Sequence, residues 1–158
     1  MSTSLFDLMR SRRSIRAYAG DPIPAETLAL LEEAASLAPT SRDRKPCRFY
    51  TVTDKAQLAQ LAKAKAAGSA FTAQAAAAIV VAADSTVSDT WIEDSSIAMT
   101  YMMLAAEALG LGCCWVQMHL RSDENGISAE ENVRRILALP EQFRVVGFLA
   151  LGQKEVTP

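Results

Sequence analysis

The chain has 158 residues, half of them hydrophobic and 22% charged, which is typical of one globular domain spanning residues 1–158. Its net charge of −2 argues against a general nucleic-acid-binding protein, because such proteins usually carry a strong basic excess. Its three cysteines (Cys47, Cys113 and Cys114) lack CxxC spacing, which argues against a disulfide framework and a zinc site.

No segment is predicted to cross a membrane. The longest apolar run, residues 97–109, contains Thr100 and Glu107 and is too short and too polar for a bilayer. The first ten residues include Asp7 and Arg10 and do not resemble a secretory signal. Together with the unpaired cysteines, these features predict a cytoplasmic protein.

Hydrophobic periodicity predicts helices alternating with strands. Helices are expected over residues 3–11, 24–38, 54–67, 88–109 and 128–139. Strands are expected over residues 49–53, 78–83, 111–118 and 144–151, with a short turn over residues 71–74. Pro24 suits the first helical position, and Ser128 with Glu131 forms a capping-box pattern.

Three of these elements are apolar enough to predict their surroundings. In the second helix, one face is expected to be buried, and it carries Leu28, Leu31, Ala35 and Ala38. The continuous apolar run 78–83 indicates a buried central strand. The second half of the helix over residues 88–109 is apolar on almost every side, so it should lie in a central position, at a dimer interface, or both.

The run Arg12-Arg13-Ser14-Ile15-Arg16 is the first candidate binding site. A guanidinium donates two parallel charge-assisted hydrogen bonds, which suits a phosphate, and Ser14 could add a neutral donor. A solvated basic turn without a ligand is the alternative at this point. The polar loop 40–46, closed by Pro46, is a second candidate for holding a polar ligand, with a plain solvated connection as its alternative.

Other catalytic arrangements find little support in the sequence. There is a single histidine, His119, expected on the surface after a strand, and no Gly-x-Ser-x-Gly elbow accompanies it. Cys113 and Cys114 are adjacent on a strand, point to opposite faces, and are expected to be buried small hydrophobes. Glu93 and Asp94 are expected to complement a helix dipole. No metal-ligand spacing and no G-x-G-x-x-G motif are present.

The order and spacing of several short motifs resemble those of the FMN-dependent nitroreductase family, and the resemblance covers nearly the whole chain. The motifs are Arg-Arg-Ser-Ile-Arg at residues 12–16, Ala-Pro-Thr-Ser at 38–41 with Pro46, Trp-Ile-Glu-Asp at 91–94, Leu-Ala-Ala-Glu-Ala-Leu-Gly-Leu-Gly at 104–112, and Ile-Leu-Ala-Leu-Pro at 136–140.

The resemblance implies an α+β fold, with a mixed, mostly antiparallel central sheet flanked by helices. It also implies a homodimer, with the long buried helix at the dimer interface and FMN bound between the subunits. Arg12, Arg13, Ser14 and Arg16 would hold the phosphate and ribityl chain. The other implied FMN contacts are Pro39, Thr40, Ser41 and Lys45 from the second subunit, and Trp115, Val116 and Gln117 along the ring edge near N5.

The sequence departs from the family pattern at three places. Asp43 and Lys45 stand where many relatives have asparagine and glutamine, and Cys47 stands where they have tryptophan. Lys45 is expected either to pair with the flavin or to face solvent. After the last strand, residues 153–158 contain one basic residue, Lys154, where larger relatives carry further phosphate ligands. These departures put FMN affinity or the dimer contact in question.

The implied chemistry is a ping-pong transfer of hydride from NAD(P)H through FMN to a nitroaromatic, a quinone or a related acceptor, with no catalytic protein nucleophile. Without a Rossmann motif, weak discrimination between NADH and NADPH is expected. Two alternatives stay open: a flavin-binding sensor or carrier without turnover, and a module that binds another phosphorylated ligand. Nucleic acid and membrane are not expected as partners.

Overall fold

A five-stranded sheet with helices on both faces forms the centre of the protein. The computed structural model describes residues 3–155, and its strands are β1 (Tyr18–Ala19), β2 (Cys47–Val52), β3 (Ala77–Asp84), β4 (Leu111–Gln117) and β5 (Phe143–Lys154). Strand β5 pairs with both β3 and β4, β2 pairs with β3, and β1 pairs with the last two residues of β5. Each of these pairings is antiparallel, and an isolated parallel bridge joins Ser14 to Cys113. The α+β fold predicted from the sequence is confirmed.

Alternation along the central strands divides the core into two layers. The helices are α1 (Leu5–Ser11), α2 (Ala25–Ser36), α3 (Lys55–Ala62), α4 (Trp91–Ala108) and α5 (Ala129–Leu137). Ile79 and Val81 of β3 pack in the layer that contains α2 and α4, whereas Val80 packs in the layer that contains α3 and α5. The predicted burial of β3 and of the inner face of α2 is confirmed.

Several predicted boundaries were wrong. Helix α3 ends at Ala62 rather than Ala67, because the Ser69 hydroxyl caps the Ala62 carbonyl at 2.8 Å and the Ala66 N–H donates to the Ser122 carbonyl. Pro24 is the N-cap of α2 rather than its first helical residue. Helix α4 begins at Trp91, after a turn over residues 85–90. Strand β1 was not predicted.

The capping prediction was half right. The Ser128 hydroxyl accepts from the Glu131 N–H, but the Glu131 carboxylate bonds Arg134 and Arg135 instead of returning to the cap. A complete capping box occurs at the start of α1, where Ser4 and Asp7 bond reciprocally. The second half of a capping box therefore depends on which partners lie near the acidic side chain.

Helix α4 is not buried all round within one chain. Its inner face carries Ala98, Met99, Met102 and Ala106, which are almost fully buried. On the opposite face Ile97 is 37% exposed and Tyr101 is 41% exposed. In residues 3–155, the fold therefore covers one apolar face of this helix and leaves the other in contact with solvent.

His119 belongs to a hydrogen-bonded network around the buried Glu130, so its prediction as a surface histidine was wrong. Its Nδ1 lies 2.8 Å from Oε2 of Glu130, and its ring meets Trp91 edge-on. Arg144 donates to both Glu130 oxygens, at 3.0 and 3.1 Å, and its guanidinium stacks on Trp91. The network ties α4, β4, α5 and β5 together at one end of the sheet.

The electrostatics of Glu130 give a pH-dependent contribution to stability. Burial opposes ionisation of this carboxyl, but hydrogen bonds from Arg144 and His119 outweigh burial and lower its pKa below the ordinary value of 4.5. Since the folded-state pKa is the lower one, the stabilisation is fully present above the unfolded-state pKa. It is lost as the pH falls through the folded-state pKa.

We expect Glu130→Gln to lower the free energy of unfolding by about 3 kcal/mol at neutral pH, because it leaves Arg144 without its buried counter-ion. Urea unfolding of the wild type and the variant should show this difference, and the difference should shrink as the pH falls below 4.5. Exposed Glu124→Gln is the matched control, with an expected change within about 0.5 kcal/mol. An unchanged unfolding free energy in Glu130→Gln would contradict the role given to this network.

Candidate functional site

The arginine run is fixed against the first residues of β4. The Ile15 N–H donates to the Cys113 carbonyl at 2.9 Å, and Ser14 forms the isolated bridge to the same residue. Glycine is required opposite Ile15, because a Cβ on Gly112 would lie 2.8 Å from a methyl carbon of that side chain. The run therefore lies beside β4 at a defined place instead of forming a free loop.

The predicted ligands in this run have different surroundings. Arg13 is exposed, and its Nη1 donates to the carbonyls of Arg10 and Arg12, which end α1. Arg16 lies over the ring of Phe71, with 6.0 Å between the guanidinium carbon and the ring centroid. Ser14 is exposed. The guanidiniums of Arg13 and Arg16 therefore each interact with another part of the protein: Arg13 with backbone carbonyls and Arg16 with an aromatic ring.

Arg12 differs, because Nη1 of its guanidinium is buried and has no hydrogen-bond partner within residues 3–155. A buried donor of this kind is costly unless something satisfies it. The side chain lines a cavity of about 320 Å³ on the exposed side of α4. The other residues that line it are Met9, Thr100, Met103, Leu104 and Trp115.

The charges around Arg12 leave a positive excess. Glu107 of α4 accepts from the Ser11 hydroxyl at 2.8 Å and from Nζ of Lys154 at 2.9 Å. Burial opposes its ionisation, but these hydrogen bonds outweigh burial, and the nearby charges of Lys154 and Arg12 add to them, so the pKa of Glu107 lies below its ordinary value. One carboxylate therefore faces two cations, and the region is suited to an anion.

The three predicted residues of β4 split between its two faces. Trp115 and Gln117 are partly buried and share one face, where the indole Nε1–H donates to Oε1 of Gln117 at 2.8 Å. Val116 is only 1% exposed and packs in the layer that contains α3 and α5. Its side chain therefore cannot line the cavity of Arg12, and its backbone alone is available to a ligand.

Glycine also determines how Trp115 is placed. A Cβ on Gly147 of β5 would lie 2.4 Å from the Val116 carbonyl oxygen and 3.3 Å from the Trp115 indole nitrogen. The absence of a side chain at this position lets the indole lie across the neighbouring strand.

The loop over residues 40–46 is held by the carboxylate of Asp94, which was expected to complement a helix dipole. Asp94 is 2% exposed, and its Oδ1 accepts from the Ser41 N–H at 3.0 Å. Its Oδ2 accepts from the hydroxyls of Ser88 and Thr90. Thr40 closes the loop, because its hydroxyl accepts from the Lys45 N–H at 3.0 Å.

Three residues of this loop have left-handed backbone conformations although none is glycine. The φ angles are 54° at Arg42, 54° at Asp43 and 49° at Lys45. Such a conformation costs about 1–2 kcal/mol for each non-glycine residue. Backbone strain persists where its surroundings determine it, and it concentrates at functional sites. The exposed side chains of Arg42 and Lys45 are consequently presented from a rigidly held loop.

The two predicted groups do not meet within one chain. Residues of the loop line a different cavity, of about 210 Å³, which shares no residue with the cavity of Arg12. Pro39 is exposed beside this loop. Asp94, which anchors the loop, and Glu107, which bonds Ser11 directly before the arginine run, lie near opposite ends of α4.

Residues 3–155 contain neither a cluster of metal-ligating side chains nor a helix suited to a membrane. No group of three or more histidine, cysteine, aspartate and glutamate side chains is arranged there to hold a metal ion. Within the same range, no helix has the length and apolar character that a membrane span requires.

Comparisons with known proteins give consistent results. A family model described as "Nitroreductase family" matches residues 9–90 and 63–153. A protein of Archaeoglobus fulgidus, which has the provisional name NADH dehydrogenase/NAD(P)H nitroreductase, is 33% identical over 92% of this chain and 82% of its own length. A protein of the same provisional name from Methanothermobacter thermautotrophicus is 29% identical over 98% of this chain and 79% of its own.

A solved structure shows the same fold at a similar level of identity. The structure described as an FMN-dependent nitroreductase from Clostridium difficile R20291 superposes with a TM-score of 0.91. It is 37% identical in sequence, and the match covers 96% of this chain and 88% of that one.

We expect Asp94→Asn to lower the free energy of unfolding by about 1–3 kcal/mol, because the amide that replaces one carboxylate oxygen cannot accept from the groups that bond it now. The Ser41 amide should also exchange with solvent faster in the variant, as measured by hydrogen exchange. Glu93→Gln, which changes the exposed neighbour, is the control for charge near this helix end. Equal Ser41 exchange in Asp94→Asn and wild type would show that Asp94 does not hold the loop.

Proposed function

The chain belongs to the nitroreductase family, and from that membership we propose that it is an FMN-dependent oxidoreductase. It takes reducing equivalents from NAD(P)H and passes them to a small acceptor, such as a nitroaromatic or a quinone, by a ping-pong mechanism. Bound FMN supplies the hydride chemistry, and the chain supplies binding, orientation and electrostatics.

The observation that carries this proposal is the unsatisfied buried guanidinium nitrogen of Arg12. A phosphate monoester carries nearly two negative charges and accepts the hydrogen bond that Nη1 lacks. The local excess of cations over carboxylates favours the same kind of ligand. The residues present therefore fit the phosphate end of FMN.

The other residues predicted to bind FMN differ in how directly they can contact it. Ser14 and Arg16 are exposed where the run lies beside β4 and can turn toward the phosphate and ribityl chain. Arg13 contributes less directly, because its Nη1 donates to the carbonyls at the end of α1. Trp115, which lines the cavity of Arg12, its hydrogen-bond partner Gln117 and the backbone of Val116 would hold the edge of the isoalloxazine ring.

We place the loop of Pro39, Thr40, Ser41 and Lys45 against a flavin bound mainly by a second copy of the chain. In one chain the loop bonds residue 94 of α4, whereas Ser11, directly before the arginine run, bonds residue 107, about 20 Å away along the helix axis. A two-fold axis across the middle of α4 would reverse the partner helix and bring the loop of one copy toward the arginine run of the other.

The exposed apolar face of α4 supports this homodimer. Ile97 and Tyr101 lie on it, and α1 adds Leu5, Phe6 and Met9, each at least 49% exposed. Exposed apolar patches of this kind mark protein interaction sites. The same contact would cover the cavity of Arg12, which Met9 and Thr100 line.

The experiment that tests the function follows the colour of the purified protein. Bound FMN gives visible flavin absorption, NAD(P)H should bleach it without oxygen, and a quinone should restore it. Flavin that is bound but not bleached would favour a carrier or sensor without turnover. A colourless protein that takes up no added FMN would contradict the proposal.

We expect Arg12→Ala to weaken FMN binding by about 1.5–3 kcal/mol, the usual contribution of a hydrogen bond to a charged group. Fluorescence titration of the apoprotein with FMN measures the change. Arg10→Ala is the matched control, because Arg10 is an exposed α1 cation paired with Asp7 and should leave the affinity within about 0.5 kcal/mol. Equal affinities of wild type and Arg12→Ala would remove Arg12 from the site.

We expect Ile97→Glu to shift the protein from dimer to monomer, because an isologous interface places two carboxylates in an apolar contact. Light scattering after size-exclusion chromatography gives the mass. Val87→Glu introduces the same charge at an apolar residue that is 43% exposed in the turn before α4, and it should leave the mass unchanged. A monomeric wild type would contradict the homodimer.

A further inference from the structure

Trp115 and Gln117 of β4 form a hydrogen-bonded pair that continues into the backbone beyond the strand. Their side chains lie on one face of β4, because positions two apart in a strand point to the same side. The indole Nε1–H of Trp115 donates to Oε1 of Gln117 at 2.8 Å, and Nε2 of Gln117 donates to the His119 carbonyl at 3.2 Å. The Gln117 amide therefore links the indole to the main chain just after the end of β4.

The His119 carbonyl is a fixed anchor for this link. The N–H groups of Met118 and His119 both donate to the Val146 carbonyl of β5, at 2.8 and 3.0 Å. The His119 ring is held separately, because its Nδ1 lies 2.8 Å from Oε2 of Glu130. The backbone and the side chain of His119 are thus bound to different elements, so its carbonyl has a defined position relative to Gln117.

The two partners of Gln117 have opposite requirements, and an amide meets both. An indole N–H donates and offers no acceptor, whereas a carbonyl oxygen accepts and offers no proton. The side chain at position 117 must consequently accept on one side and donate on the other, which also determines the orientation of the amide. An ionised carboxylate of the same length would satisfy the indole and would be repelled by the carbonyl.

The neighbouring strand provides the space for the indole. Gly147 of β5 is the cross-strand partner of Gln117, and a Cβ on it would lie 3.3 Å from the indole nitrogen of Trp115. The indole is therefore confined between a stretch of β5 without a side chain and the Gln117 amide. Because Trp115 also lines the cavity of Arg12, these contacts fix one wall of that cavity.

We propose that Gln117 is a positioning residue, which acts on the FMN site through Trp115 and not through a contact between its own amide and the flavin. It holds the indole in one orientation before a ligand arrives, and it thereby reduces the ordering cost of binding at the cavity of Arg12. The effect on FMN rests on the proposed function, whereas the fixed indole is a property of the apoprotein.

Hydrogen exchange of the two indole N–H groups in the apoprotein, followed by NMR, tests the fixed indole. Gln117→Met has a similar length but lacks the donor and the acceptor, so exchange at Trp115 should become about tenfold faster. Trp91, the other tryptophan, is 9% exposed and should keep its rate within about twofold if the variant is folded. Gln60→Met makes the same change at an exposed position of α3 and should alter neither signal. Unchanged Trp115 exchange in Gln117→Met overturns the proposal.

Gln117→Glu gives a pH-dependent signature that a general loss of packing would not produce. A protonated carboxyl accepts from the indole and donates to the His119 carbonyl, as the amide does, whereas the ionised form is repelled by that carbonyl. Compared with wild type at the same pH, Trp115 exchange in this variant should be faster at neutral pH and should return to within about twofold as the carboxyl is protonated. A ratio to wild type that does not change with pH overturns the proposal.

A double-mutant cycle measured by FMN titration separates positioning from direct contact. Gln117→Met should weaken FMN binding about fivefold. Trp115→Phe keeps an aromatic ring without the N–H, and adding Gln117→Met to it should change the affinity by less than about twofold. Wild-type affinity in Gln117→Met, or a further loss of about fivefold in the double variant, overturns the proposal. A wild type that binds no FMN contradicts the proposed function instead, and exchange in the apoprotein still decides whether Gln117 fixes the indole.

Discussion

The packing of α4 against the sheet is the contact on which both parts of the candidate site depend. Its buried face carries Met99 and Met102, which fix the helix in the core. Two carboxylates near its ends then hold the neighbouring segments: Asp94 bonds the loop over residues 40–46, and Glu107 bonds the ends of α1 and β5. A shift of this helix would move both groups of candidate ligands, so the site inherits its rigidity from the core.

Rigidity at the loop has a different origin from rigidity at the arginine run. The loop contains three left-handed residues, which are unfavourable in isolation and persist because Asp94 and the Thr40 hydroxyl hold the backbone from inside. The arginine run has an extended strand neighbour, β4, and it is fixed by a backbone hydrogen bond to Cys113. Pre-organisation of this kind reduces the ordering cost of binding.

Periodicity predicted the elements that pack by their own apolar faces, and it failed where a distant partner decides the outcome. The inner face of α2 and the burial of β3 follow from spacing alone. Strand β1 has two residues and exists through its pairing with β5, which no local pattern reveals. The roles of Asp94 and His119 were missed for the same reason, because their partners Ser41 and Glu130 are separated from them along the chain. Three arginines in one run looked equivalent in sequence, and only tertiary contacts distinguish Arg12 from Arg13 and Arg16.

A ligand bound at the unsatisfied nitrogen of Arg12 would connect binding to the order of the N-terminal helix. No side chain of α1 is buried within the described part of the chain, so its own packing contributes little to keeping it in place. Its terminal residue Ser11 bonds Glu107, and Arg12 follows directly as its C-cap. An anion bound to Arg12 binds the folded chain and not the unfolded one, and at a concentration 100 times its Kd it stabilises the folded state by about 2.7 kcal/mol. A cofactor phosphate at this position would therefore act as a structural component of the N-terminal segment, holding α1 and the arginine run against β4.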